Sequence, residues 1–102
     1  MTDRDRLLFM TKAIDDFKPF SVPALGGLTH SLESHFDLIA KRSSQLERAF
    51  YDFWNAGEVL WVSSIEFRQK IPQSQLHDIE KRLLPALRAA LQKELDNENA
   101  VA

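Results

Sequence analysis

Cysteine is absent from this chain of 102 residues, which excludes a disulfide scaffold and a thiolate zinc site and fits a reducing compartment. No apolar run approaches the roughly 18 residues that a membrane span requires. The first ten residues mix acids with bases and do not resemble a signal peptide. A surplus of positive charge is missing too: 13 Lys and Arg stand against 15 Asp and Glu, for a net charge of −2. Phosphate backbones demand local excess of base, so neither nucleic acid nor membrane is expected as the main partner. Glycine and proline are scarce, at three and four residues. What is plentiful is apolar: 44% of the chain is hydrophobic, enough for one compact core at this length. The expectation is a cytoplasmic protein with a single helical domain over 1–95 and a flexible C-terminal tail over 96–102.

The apolar spacing is helical throughout and predicts an all-α fold, a four-helix bundle with a long, largely buried third helix. The first helix starts at Thr2 or Asp3, carries Leu7, Met10, Ile14 and Phe17 on one stripe, and ends before Pro19 and Pro23. An apolar loop over Pro19–Gly27 follows, with Gly26 and Gly27 as its permissive backbone. The second helix is capped near Thr29 or Ser31, aligns Leu28, Leu32, Phe36 and Ile39, and closes on Lys41 and Arg42. Ser44 and Glu47 have the spacing of a capping box for the third helix, 44–70. Its stripe runs Leu46, Phe50, Phe53, Gly57, Leu60, Ser64, Phe67, with Arg48–Asp52 and Glu66–Lys70 as four-apart ion pairs on the polar side. Gly57 sits mid-helix, where close packing of a neighbour accounts for it. Pro72 ends this helix. Ser74 caps the fourth, which buries Leu76, Ile79, Leu83, Leu87, Ala90 and Leu91 and is kinked by Pro85.

Signals for chemistry are weak. His30 and His35 are five apart and point away from each other on a helix, and no E-x-x-H pattern occurs, so no metal and no cofactor is expected. Gly26–Gly27 lacks the spacing and the lysine of a phosphate cradle. The carboxylate neighbours Glu33 with Asp37, and Asp15 with Asp16, read as solvated faces and not as acid–base dyads. No catalytic residue is assigned, and the chain is not read as an enzyme.

One stretch is over-supplied. Phe50–Trp61 holds five aromatic residues in twelve, more than a single stripe buries. Phe50, Phe53 and Trp61 belong to the core on spacing. Tyr51 and Trp54 lie on opposite shoulders, and aromatics ringed by acids are common anchors at protein interfaces. The candidate partner-binding residues are Tyr51, Asp52, Trp54, Asn55, Glu58 and Glu66, with Asp15, Asp16, Glu33 and Asp37 as a second acidic zone.

The segment Phe53-Trp54-x-x-Gly57-Glu58-Val59-Leu60, followed by Ile71–Pro72 and a leucine-rich last helix, resembles the small all-helical immunity proteins of bacterial polymorphic and contact-dependent toxin systems. The resemblance covers Leu32 to Leu95. It implies a stoichiometric inhibitor whose carboxylates meet a basic toxin domain. Two other readings stand beside it: a homodimeric adaptor or regulatory module that buries Tyr51 and Trp54 against its twin, and a small helical enzyme.

Overall fold

In the computed structural model, which describes residues 2–17, 22–65, 67–68 and 70–101 (backbone only for 22, 65 and 99–101), every regular element is helical. Helix α1 (Asp3–Asp15) begins as its sequence dictates. The Thr2 hydroxyl accepts from the Asp5 N–H at 3.1 Å and the Asp5 carboxylate accepts from the Thr2 N–H at 3.3 Å. That reciprocal pair satisfies two free donors of the first turn and draws the Asp5 carboxyl below its usual range.

The expected loop over Pro19–Gly27 is overturned in its described part, because α2 (Val22–Glu33) starts at Val22 and contains both glycines. Pro23 falls in the first turn, where the missing N–H has no partner to lose and the fixed φ suits a helix. Neither glycine has a positive φ. Gly26 is a packing residue: a Cβ there would lie 2.4–2.8 Å from the Trp61 ring. The expected second helix is also interrupted. Ser34 donates to the Ser31 carbonyl at 2.7 Å, and the His35 N–H turns to the Leu32 carbonyl at 3.0 Å. A serine hydroxyl competing for backbone groups weakens a helix at that point, and the chain restarts as α3 (Phe36–Arg42).

Helix α4 (Ser44–Ile65) is the longest element. The cap is Ser43, not the Ser44–Glu47 box: its hydroxyl accepts from Leu46 N–H at 3.1 Å and its carbonyl from Glu47 N–H at 3.0 Å. The helix ends at Ile65, short of residue 70; the Phe67 N–H turns to the Val62 carbonyl at 3.3 Å, and Arg68 beyond it has a left-handed φ of 52°. Phe67 is therefore 66% exposed and leaves the stripe. Glu66, and with it the Glu66–Lys70 pair, lies outside the described residues.

Helix α5 (Gln73–Asp78) starts directly after Pro72, so Ser74 sits inside its first turn and caps nothing. It runs into a π-helical segment, Ile79–Leu83, and then α6 (Leu84–Val101). The Leu84 N–H reaches the Ile79 carbonyl five residues back. This wider turn precedes Pro85, which lacks the N–H for an ordinary bond and whose ring crowds the carbonyl four residues earlier. The helix is thus carried through the proline without a break. The segment 96–102, read as a tail, is helical as far as Val101.

The core joins these elements around α4. Leu46, Phe50, Phe53 and Leu60 are buried with Leu25, Leu28 and Leu32 of α2, Leu38 and Ile39 of α3, and Ile79, Leu83, Leu87 and Leu91. Helix α1 adds Leu7, Met10 and Ile14 and lies antiparallel to α6. One end is tied by Arg88 to Asp15 through bonds of 2.9 and 3.1 Å. At the other, Arg42 of α3 binds Glu94 at 3.1 Å and Glu98, with Asp3 of α1 at 4.0 Å. Burial opposes the charge on Arg42, but bonds to Glu98 and Glu94 prevail and hold its pKa above the ordinary value.

Gly57 is buried where α4 crosses α2, and a Cβ there would come within 2.8 Å of the Thr29 methyl. Gly27 has nothing within 4 Å of that position. The three glycines therefore separate in a denaturation series. Gly27→Ala should stabilise by roughly 0.5–1 kcal/mol through helix propensity, whereas Gly26→Ala and Gly57→Ala should each cost about 1–3 kcal/mol through overpacking.

Candidate interaction surface on α4

With one stripe of α4 buried, the opposite stripe is fixed by the helical repeat. Tyr51, Asp52, Asn55 and Val59 are exposed, and Glu58 is half-buried beside them. Tyr51 is 39% and Val59 63% exposed, so two large apolar groups sit on a strip of about 12 Å with a carboxylate on either shoulder. Trp54 turns toward α3, and its Nε1–H is buried without a hydrogen-bond partner. Four of the six anticipated residues, Tyr51, Asp52, Asn55 and Glu58, thus share this side of the helix; Trp54 lies beside Tyr51 on the edge facing α3 and not on the opposite shoulder, and Glu66 is outside the described residues.

Two depressions flank the strip. Toward α5, a groove of about 440 Å³ is lined by Asn55, Ala56, Val59 and Leu60 against Ser74, Gln75, Asp78 and Ile79. Toward α3, a hollow of about 320 Å³ is walled by Phe36, Phe50, Tyr51 and Trp54, with Glu33 completing it. Neither brings an acid and a base together as general acid–base chemistry requires.

Phe36 reaches this hollow because the α2–α3 break is pinned from α1. Arg6 donates through Nε to His35 Nδ1 at 2.9 Å and grips Asp37 through both terminal nitrogens, at 2.6 and 3.1 Å. This fork lowers the Asp37 carboxyl to about 2. His35 is shifted down by burial and then by the neighbouring Arg6 charge, and the Phe9 ring leans on it at 5.4 Å.

The two acidic zones therefore differ. In the second zone Asp15 is engaged by Arg88 and Asp37 by Arg6, and Glu33 meets His30 at 3.4 Å, while Asp16 is exposed without an ion pair among the described residues. On α4, Asp52 and Glu58 form no ion pair among the described residues. The expected Arg48–Asp52 pair does not form either, and Asp52 feels Arg82 of the π segment only through space. Spacing alone did not separate the zones, since each partner arginine is distant in sequence. It placed Phe36 on a core stripe, and Phe36 does pack against the core while also walling the hollow; it passed over Val59.

No family model matches this chain, and neither does any curated protein or solved structure.

The folded His35 imidazole titrates below its unfolded value near 6.5. The unfolded chain takes up that proton first, so this contribution to stability is present above pH ~6.5 and lost as pH falls through the folded value. Urea midpoints should therefore drop between pH 7.5 and pH 5, and His35→Gln should flatten the slope.

Proposed function

We propose that this chain acts by binding another protein through the outward face of α4, as a bacterial, cytoplasmic immunity protein that neutralises a cognate toxin domain by stoichiometric association. In this reading α2 with α3, and α5 with α6, each act as one rod, so that the six segments work as a four-rod bundle presenting α4.

One observation carries the proposal. Among the described residues, Asp52 and Glu58 are left without an intramolecular ion pair on the same strip that exposes Tyr51 and Val59, whereas Asp15 and Asp37 are held by arginines of the chain itself. Aromatic and apolar anchors at the centre of a patch supply affinity, and unpaired rim charges steer association with an oppositely charged partner. A helix packed along its other side is also a rigid platform, which limits the ordering cost of binding. A basic toxin domain has the complementary charge.

The test is co-expression with the C-terminal domain of a large secreted protein encoded directly upstream. A one-to-one complex is expected, with the double reversal Asp52→Lys, Glu58→Lys weakening it about tenfold or more. If the complex is indifferent to that reversal, the α4 reading is wrong. If the chain alone has twice its monomer mass and Trp54→Glu halves it, the face belongs to a homodimeric adaptor instead.

A further inference from the structure

The hollow between α3 and α4 has a composition that points to one kind of occupant. Phe36, Phe50 and Tyr51 meet pairwise with ring centroids 5.5–6.0 Å apart and planes inclined by 43–67°. They form a corner, not a stack, and Trp54 adds a fourth wall. Phe50 is the buried floor and Tyr51 the solvent-facing side. The four rings line one volume, and the face of an aromatic ring carries partial negative charge.

Glu33 adds a full negative charge at the same hollow. Its contact with His30 is long, at 3.4 Å, and exposed. Among the described residues, no lysine or arginine lines the space. Aromatic rings with an adjoining carboxylate, and no cation among the described lining residues, amount to a site complementary to positive charge.

We propose that this hollow receives the side chain of an arginine from the partner protein. A guanidinium is flat enough to lie on a ring and carries a fork of N–H donors matched to a carboxylate. A quaternary ammonium would use the rings but leave Glu33 without a hydrogen bond. The inference rests on reading α4 as the binding face, since Tyr51 and Trp54 belong to both, and it supplies the contact chemistry of that face.

The full chain, labelled with nitrogen-15, is titrated with Nα-acetyl-arginine methylamide and with its neutral citrulline counterpart. The arginine compound should shift the Trp54 indole resonance saturably, with a dissociation constant on the order of millimolar. The Trp61 indole, packed on Gly26, should stay still. Glu33→Gln, an exposed change that leaves the rings in place, should weaken binding about three- to tenfold. Equal shifts from the citrulline compound, no saturable shift, or movement of Trp61 matching Trp54 would each overturn the proposal. So would tetramethylammonium binding more tightly than the arginine compound and indifferent to Glu33→Gln. The titration needs no partner, which keeps the two ideas separable. A silent titration alongside a charge-sensitive complex defeats the arginine site alone, while a positive one beside an insensitive complex defeats the α4 reading.

Discussion

The close crossing of α2 and α4 is the contact on which the remaining arrangement depends. It exists because two positions lack side chains: Gly26 accommodates the Trp61 ring and Gly57 accommodates the Thr29 methyl. With the two backbones this near, the stripe from Leu46 to Leu60 is sealed on one side, and α3, the π segment and α6 close the rest. Burying one stripe of a helix determines which residues are left outside. The exposure of Tyr51 and Val59 follows from a contact made on the far side of the same helix.

A second layer is electrostatic and fixes orientation more than stability. Arg42, Arg88 and Arg6 each connect elements that are remote in sequence, and Arg6 places Phe36 by holding the start of α3. Exposed pairs of this sort contribute little energy individually. Their consequence here is one of distribution: among the described residues, most of the acids near α1 and α3 are engaged within the chain, and Asp52 and Glu58 on α4 are not. That difference, together with the aromatic corner beside it, is why the functional proposals converge on one face.

Much of this was legible in the sequence, and what was not has physical reasons. The stripes of α1, α4 and α6 follow from three-four spacing, and Gly57 from its place within a stripe. The first turn of α2 was hidden because Pro23 ends a helix in the interior yet suits its beginning. Gly26 passed for a turn residue because nothing local reveals a tryptophan 35 positions later in the chain. The break at Ser34–His35 depends on a hydroxyl competing for a carbonyl, and a periodic pattern continues straight across it. Of the candidate surface, the residues on α4 were readable. Phe36 was not, since it follows a turn held by Arg6, and Glu33 was read into the other acidic zone because nothing local joins it to α4.

Hydrogen exchange on the isolated chain, resolved by residue, reaches the central claim most directly: α4 is the spine, sealed along one side and free along the other. The account requires the amides from Phe50 to Leu60 to be the slowest to exchange, opening only with global unfolding, and those of α5 to open far more readily. Exchange in Phe50–Leu60 as fast as in Gln73–Asp78 would mean that no rigid platform exists and would contradict the account.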